Sequence, residues 1–297
     1  MAKKKKSGSK PPLRRQCGTM AVHMMLLEKF PSFRARQFKL EQDYAKRRAE
    51  PASLAKLSTV TVKVVVNVVF NTSEQNISTA QINSQIAVLN RDFAAKNPDR
   101  TKVPAVWNGL VTDSRVRFKL HKVTRTQTNV SSFTQHDEVK STAGGGIAPF
   151  QPRTSLNLWV CPLGGGLLGY AQFPGGPSAS DGVVINYSAF GTIGSAKAPF
   201  DLGRTATHEV GHYFNLRHIW GDTEDCSGSD LVADTPNCAG PNFGKPPFPT
   251  VTCNNGPNGD MFVNYMDYVD DAAMVMFTAQ QVTRMRTTLD GPRSGLV

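Results

Sequence analysis

The sequence predicts an α+β domain that follows a separate, basic N-terminal segment. Three observations support this prediction. Apolar, β-branched runs alternate with helix-period segments between Thr61 and His218, the periodicity then fades into a stretch rich in Gly, Pro, Asn and Asp, and a last helical pattern closes the chain. With 39% of its 297 residues apolar, the chain is long and apolar enough for one large domain or two small ones.

The predicted elements begin with a strand over Thr61–Phe70, an apolar run dominated by valine. Ser78 can cap a helix whose apolar residues recur every three or four positions as far as Phe93. The further predicted strands cover Val116–His121, Leu156–Cys161, Leu167–Phe173 and Gly182–Tyr187, and the further predicted helices cover Leu202–Asn215 and Thr278–Leu289.

The net charge of +11 belongs almost entirely to the N-terminal segment. Residues 1–50 hold 14 Lys/Arg and 4 Asp/Glu, whereas the remaining residues hold 20 and 19. The segment has a pattern of helical pieces broken at Pro31 and ends near Pro51, and we predict that residues 1–10 are disordered. Nucleic-acid binding by this basic arm is an open alternative, but the arm lacks interleaved aromatic residues. No apolar run is long enough for a membrane span.

Five cysteines occur in the sequence, and three of them, Cys226, Cys238 and Cys253, fall within 28 residues. This clustering predicts at least one disulfide and an oxidising compartment. The odd total leaves at least one thiol free, and Cys161, which lies in an apolar strand, is predicted to be a free buried thiol.

A cluster of histidines predicts a metal site. His208 and His212 are four residues apart, so both imidazoles lie on one face of a helix and can reach one ion. Glu209 lies beside the first, where it can take a proton from a metal-bound water. His218 can join them only if the chain turns sharply after the helix, and Asn215 tolerates the positive φ of such a turn. Three histidines leave one zinc position open for water, as is typical of catalytic zinc.

This motif resembles the extended zinc motif of the metzincin metallopeptidases, and the chain is similar to the pappalysin-type family, which includes pregnancy-associated plasma protein-A and small microbial members. The family has Gly where this chain has Asn215. The resemblance implies a zinc-dependent endopeptidase in which a zinc-bound water attacks the peptide carbonyl with Glu209 as general base. A zinc-binding interaction module without catalytic activity is the alternative function.

The resemblance also implies the architecture of a metzincin-like catalytic domain. A twisted mixed sheet with two long helices forms its upper subdomain, and an irregular lower subdomain with a C-terminal helix lies across the cleft. Downstream, Asn264–Asp271 resembles the family's Met-turn, which makes Met266 the apolar floor beneath the zinc. Tyr268 is then assigned to stabilising the oxyanion of the tetrahedral intermediate.

Near the N-terminus, Arg14–Thr19 resembles a cysteine switch, in which a thiolate takes the fourth zinc position. We therefore expect Cys17 to be a zinc ligand in a zymogen, with a thiol whose pKa is lowered by the flanking arginines. Residues 1–60 are then a latency segment and residues 61–297 the catalytic domain. Basic sites such as Lys46–Arg48 are the predicted cleavage points.

Relatives carry a structural calcium in the acidic loop after the zinc motif, which points to Asp230 and Thr235 as ligands, with Asp234 as a further candidate. They also tie this region with two disulfides. Ala273 stands where a family Cys is expected, so the choice between Cys226–Cys253 and Cys238–Cys253 stays open.

In such a family Leu167–Phe173 forms the upper edge of the cleft, and a protein or peptide substrate adds to it as an antiparallel strand. Asp270 and Asp271 would place negative charge beside the zinc and favour Arg or Lys after the scissile bond. The resemblance and the cysteine cluster together predict a secreted monomer that binds neither nucleic acid nor membrane, although no signal peptide is visible.

Overall fold

The computed structural model describes residues 14–49 and 57–297. Two predictions, that residues 1–10 are disordered and that the N-terminal unit ends near Pro51, lie outside these residues. Within them, no helix is both long enough and apolar enough to cross a membrane.

A five-stranded mixed sheet forms the frame of the molecule. Its strands are β1 (Val60–Phe70), β2 (Val116–Gln127), β3 (Leu156–Cys161), β4 (Gly169–Ala171) and β5 (Val183–Asn186), and their order across the sheet is β2-β1-β3-β5-β4. The first four strands in this order are parallel to one another, and β4 pairs antiparallel with β5 at the edge. A two-stranded ladder of β6 (Phe243–Gly244) and β7 (Tyr268–Val269) lies in the irregular C-terminal part.

The α-helices of the described residues are α1 (Thr19–Lys29), α2 (Pro31–Arg48), α3 (Thr79–Phe93), α4 (Arg204–Tyr213) and α5 (Ala279–Asp290). Ser78 caps α3 as predicted, because its hydroxyl accepts a hydrogen bond from the Gln81 N–H. Thr278 caps α5 in a reciprocal capping box with Gln281. The break predicted at Pro31 separates α1 from α2.

The α+β class and the mixed sheet are confirmed, and the largest differences from the predicted bounds are in β2, β4 and α4. β2 extends to Gln127 because it pairs with β1 along its whole length. The strand predicted over Leu167–Phe173 is shorter, because only Gly169–Ala171 pair with β5. The helix predicted to reach Asn215 ends at Tyr213, since Asn215 has a φ of 74°.

Two apolar clusters lie on opposite faces of the sheet, as the alternation of side chains along β1, β3 and β5 requires. The larger cluster packs the sheet against α3, α4 and α5. The smaller one contains Val22, Leu26 and Phe33 of the N-terminal segment, packed with Trp159 and Phe173. The basic segment therefore shares a core with the domain that follows it.

A disulfide joins Cys226 to Cys253 in the loop region after α4. This pairing answers the question that the sequence left open, because Cys238 is a free thiol. Cys161 is free and buried, as predicted, and Cys17 is the third free thiol.

Candidate metal centre

His208, His212 and His218 converge on one point below the sheet edge. The Nε2 atom of His212 lies 3.1 Å from that of His208 and 3.0 Å from that of His218. A tetrahedral zinc with ordinary zinc–nitrogen bonds would hold two such atoms about 3.3 Å apart. All three side chains are buried, so the predicted ligand set is brought together as one site.

The other ring nitrogen of each histidine faces an acceptor. His208 Nδ1 lies 2.7 Å from the Tyr265 carbonyl, His212 Nδ1 lies 2.7 Å from the Leu216 carbonyl, and His218 Nδ1 lies 2.5 Å from an Asp222 carboxylate oxygen. Such acceptors place the proton on Nδ1 and leave the Nε2 lone pairs facing one another. Burial is the main cause that lowers the pKa of His208 and His212 well below the usual value. Three neutral lone pairs that converge in this way suit a cation.

The turn that returns His218 to the site is built on Asn215. Its φ of 74° reverses the chain after α4, and the Leu216 N–H donates to the Gly211 carbonyl. The Asn215 carbonyl accepts a hydrogen bond of 2.6 Å from Arg284 Nε on α5. The Asn215 side-chain amide is buried with neither polar atom paired. Asn therefore makes the predicted turn at the cost of an unsatisfied amide.

Met266 is fully buried beneath the histidine helix. Its sulfur lies so close to Gly211 that a β-carbon added there would come within 2.5 Å of it. The Ile219 N–H donates to the Met266 carbonyl, which links this residue to the end of the zinc motif. Met266 thus lies next to the zinc motif, and its role as the floor beneath the metal stays a prediction.

Tyr268 lies directly beside the histidines. Its ring centroid is 5.8 Å from that of His208 and 4.9 Å from that of His218. Burial raises the pKa of its phenol well above the usual value, so the group keeps its proton and remains a hydrogen-bond donor. A phenol in this place can donate to an oxygen at the metal.

The Glu209 carboxylate lies on the sheet side of the site and is buried. Its oxygen Oε2 accepts hydrogen bonds from Thr19 Oγ1 at 2.8 Å and from Cys17 Sγ at 3.4 Å. Burial raises the pKa of Glu209 to about 7, against the opposing effect of those two hydrogen bonds. Gly169 of β4 permits this position, because a β-carbon there would lie 2.8 Å from Glu209 Cγ.

Cys17 completes the cluster. Its sulfur and one nitrogen from each of His208, His212 and His218 lie within 4.8 Å of one another. In the described part of the chain, this is the one group of three or more potential metal-binding side chains.

The expectation that flanking arginines lower the pKa of the Cys17 thiol is wrong. Burial, followed by the charge of Glu209, raises this pKa well above its usual value. Arg15 instead donates to Asp271, and Arg14 lies over the ring of Phe243 at 4.8 Å.

The residues around Cys17 lie along β4 as a parallel strand. The Leu168 N–H donates to the Gln16 carbonyl, the Gly18 N–H donates to the Gly169 carbonyl, and the Ala171 N–H donates to Thr19 Oγ1. The N-terminal segment thus occupies the edge that was predicted to bind substrate.

Arg15 extends into a buried pocket whose base is Asp271. Its guanidinium donates to an Asp271 carboxylate oxygen at 2.6 Å, to the Val269 carbonyl at 3.2 Å and to Thr205 Oγ1 at 3.1 Å. The second Asp271 oxygen accepts the Leu202 N–H, which fixes the carboxylate. Among the described residues the Asp270 side chain has no hydrogen-bond partner, so only one of the two predicted acidic residues contacts this arginine.

The three residues predicted to bind calcium do not share one set of contacts. The Asp230 carboxylate accepts from the Val232 N–H and from Thr235 Oγ1. The Asp234 carboxylate instead accepts from Thr278 Oγ1 and the Gln280 N–H at the start of α5. Asp230 and Thr235 lie together, and calcium binding there stays a prediction.

Sequence reasoning did not find Thr19, Gly169 and Asp222 as site residues. Thr19 was visible only as the last residue of the cysteine motif, and Gly169 lies inside a predicted strand. Asp222 is four residues after His218, with a φ of 61° that aims its carboxylate back at the imidazole. An Asp at this spacing from a predicted ligand was the one available signal.

The chain is similar to known metallopeptidases over most of its length. Residues 165–290 match the family model described as pregnancy-associated plasma protein-A. An extracellular metalloprotease of Pyricularia oryzae is 32% identical over 268 residues, which cover 84% of this chain and 82% of that protein. Extracellular metalloprotease 1 of Coccidioides posadasii is 35% identical over 231 residues, which cover 74% and 72%.

Two solved structures from Tannerella forsythia are similar over most of their length. A promirolysin mutant matches with a TM-score of 0.85 and 43% identity, over 95% of this chain and 97% of that one. Mature mirolysin in complex with a cleaved peptide matches with a TM-score of 0.80 and 48% identity, over 81% and 96%.

Proposed function

The chain is a metalloendopeptidase of the pregnancy-associated plasma protein-A (pappalysin) family, and from that premise we propose that it is a zinc enzyme kept latent by its own N-terminal segment. The observation that carries this proposal is one compact group: three histidine nitrogens and the Cys17 sulfur within 4.8 Å of one another, beside the Glu209 carboxylate.

Zinc is the metal that fits this donor set. His208, His212 and His218 offer neutral nitrogens, and Cys17 offers sulfur, which together are the ligand types that zinc prefers. Bound there, zinc would act as a Lewis acid on the substrate carbonyl and lower the pKa of a water molecule. Once Cys17 has left, the three histidines leave a position for that water.

In the proposed reaction Glu209 is the general base. It takes a proton from the attacking water and passes it to the amine of the leaving peptide. Tyr268, whose ring lies against His208 and His218, donates a hydrogen bond to the oxyanion that develops on the substrate carbonyl. Gly169 supports the base indirectly, because any larger residue would displace the Glu209 side chain.

The proposed substrate is a polypeptide in extended form. Mature mirolysin, a related structure, holds a cleaved peptide, and β4 of this chain offers a sheet edge on which Gln16 and Gly18 already form backbone hydrogen bonds. We propose that substrate replaces this segment as an antiparallel strand. The pocket that holds Arg15 on Asp271 then accepts the residue after the scissile bond, which favours Arg or Lys there.

Latency follows from the same contacts. Residues 1–60 are proposed as the latency segment and residues 61–297 as the catalytic domain. Cys17 occupies the place of the fourth ligand, Thr19 holds the Glu209 carboxylate, and Arg15 fills the specificity pocket. No water or substrate can reach the site until the segment leaves.

Secretion is proposed from two facts. The relatives are named extracellular metalloproteases, and the Cys226–Cys253 disulfide is of a kind that persists in oxidising compartments.

The test is metal analysis and casein hydrolysis with protein whose N-terminal segment has been removed by limited proteolysis. We expect one zinc per chain, loss of hydrolysis in EDTA and recovery on adding zinc. Glu209→Ala should lower kcat/KM by about 100- to 10,000-fold while zinc content stays the same. Glu224→Ala, which alters an exposed loop residue, is the matched control. Hydrolysis that survives EDTA, or that is undiminished in Glu209→Ala, would refute the proposal.

A further inference from the structure

A second buried contact joins the N-terminal segment to the catalytic domain, away from the histidines. The Arg284 side chain on α5 is fully buried and forms a two-pronged salt bridge with Glu41 of α2. Its Nη1 donates to Glu41 Oε2 at 2.7 Å, and its Nη2 donates to Glu41 Oε1. The Tyr44 ring, also from α2, lies 5.0 Å from the guanidinium carbon.

The catalytic domain holds Arg284 without help from the N-terminal segment. Arg284 Nε donates to the Asn215 carbonyl at 2.6 Å, so the two outer nitrogens are aimed away from the zinc-motif turn and toward α2. Among the described residues, Glu41 is the acidic side chain within salt-bridge distance of this guanidinium. The nearby Asp230 carboxylate instead accepts from Val232 and Thr235.

Removal of the segment would therefore expose the two outer nitrogens of Arg284, which the hydrogen bond to the Asn215 carbonyl already orients. We call this guanidinium the arginine fork. The Glu41 side chain is 24% exposed where it meets Arg284, so this contact lies at an edge open to solvent. With Glu41 gone, Arg284 would lose its salt-bridge partner. A guanidinium held in this way binds carboxylates in a two-pronged geometry.

The position of this fork relates it to the substrate path. The N-terminal segment runs parallel to β4, with Arg15 on one side of Cys17 and α1 and α2 on the other. A substrate strand antiparallel to β4 would place its residues N-terminal to the scissile bond on the side of α1 and α2.

We propose that Arg284 is a binding site for an acidic side chain of the substrate, upstream of the scissile bond, and that Glu41 occupies this site in the latent form. The proposal rests on the function proposed above. It assigns to the mature enzyme a second charge preference, for Glu or Asp, in addition to the basic preference set by Asp271.

The test uses the zinc-loaded protein after removal of its N-terminal segment. A series of long peptides keeps one cleavable core with Arg after the scissile bond and moves a single Glu along the upstream residues, each peptide being paired with its Gln twin. We expect the Glu/Gln ratio of kcat/KM to reach about tenfold at one or two neighbouring positions, as suits a partly exposed charge-assisted contact. The ratio should approach one in Arg284→Gln and keep an intermediate value in Arg284→Lys.

The ratio within each enzyme cancels any general loss of activity in a variant. Should Arg284→Gln not fold, Arg284→Lys and the decline of the wild-type ratio with added NaCl provide the same test. A ratio near one at every position in the wild type, or a ratio that persists in Arg284→Gln, overturns the proposal. If no peptide is cleaved, the proposed function fails instead. Binding of the labelled Glu and Gln peptides is then compared by fluorescence anisotropy. Tighter binding of the Glu peptide supports a carboxylate site at Arg284, and equal binding of both peptides overturns it.

Discussion

The histidine cluster and the N-terminal segment that covers it differ in how far their contacts reach along the chain. The three histidines lie within the eleven residues His208–His218, on one helix and one turn. Thr19 instead reaches a partner 190 positions away and Arg15 one 256 positions away. We therefore expect the metal site to stay intact when the segment is removed, whereas every contact of the segment with the site would be lost at once. The proposed latency would then be lost together with the segment.

The largest effect that would sharpen this comparison is expected from Cys17→Ala in the full chain. The loss of the proposed fourth ligand should raise casein hydrolysis by more than about 10-fold, the lower end of the effect that an outer-shell partner of a metal ligand has on activity. Arg15 and Thr19 would still hold the segment, so hydrolysis should stay below that of the processed enzyme. Cys161→Ala, at a buried thiol outside the cluster, serves as the control. Equal latency in both variants would show that the sulfur is not what excludes water.

The histidine cluster is tested by the variant Asp222→Asn. In the native chain the Asp222 carboxylate accepts a hydrogen bond from His218 Nδ1 and so fixes the tautomer that presents Nε2 to the metal. Asn would weaken this acceptor, and we expect zinc affinity to fall by about 10- to 100-fold. Competition with a chelating dye measures the change. Asp225→Asn, in the same loop, removes a carboxylate that accepts from Ser227 and should leave the affinity as it is, and an equal loss in that control would count against a specific role for Asp222.

The segment side of the comparison predicts a dependence on pH through His23. This residue of α1 is buried between Phe33 and Phe173, with ring centroids 5.5 and 4.7 Å away, and its Nδ1 has no partner. Burial, aided by the charge of Arg217, lowers its pKa to about 4, against the weaker opposite effects of Asp222 and Glu41.

The released segment takes up a proton near pH 6.5 and the docked segment does not, so docking weakens as the pH falls from about 6.5 towards 4. At pH 5 the loss is roughly 10- to 30-fold. The rate at which dithiodipyridine labels Cys17, taken relative to the rate in His23→Phe, should rise by that factor between pH 8 and pH 5. A relative rate that does not change with pH would remove His23 from the account of latency.

The smallest effect is expected at Asn215, where a substitution changes only the local conformation of the turn. Gly accepts a φ of 74° without strain and leaves no buried amide unpaired. We expect Asn215→Gly to raise the free energy of unfolding by about 1 kcal/mol, after allowing for the greater freedom of Gly in the unfolded chain. Urea unfolding of both zinc-free proteins measures this. Asn215→Ala should be less stable than Asn215→Gly, and the reverse order would contradict the role given to the turn.

The same difference in contact range explains what could be predicted from the sequence. The histidines, Glu209 and the turn at Asn215 follow a local spacing rule, and the structure brings them together as predicted. The partners of the N-terminal segment could not be found in this way, because the pairs Arg15–Asp271 and Glu41–Arg284 join distant parts of the chain. The expected effect of arginines on the Cys17 pKa failed for that reason: sequence neighbours of Cys17 turned out to have partners elsewhere.

X-ray absorption at the zinc edge tests the central claim most directly, since it counts sulfur and nitrogen ligands separately. It would be measured on the zinc-loaded full chain and on the same protein after removal of its N-terminal segment. We expect one sulfur at about 2.3 Å and three nitrogens at about 2.0 Å in the full chain, and nitrogen and oxygen ligands alone after removal. Zinc without a sulfur ligand in the full chain, or with sulfur retained in the active form, would contradict a latent zinc peptidase closed by Cys17.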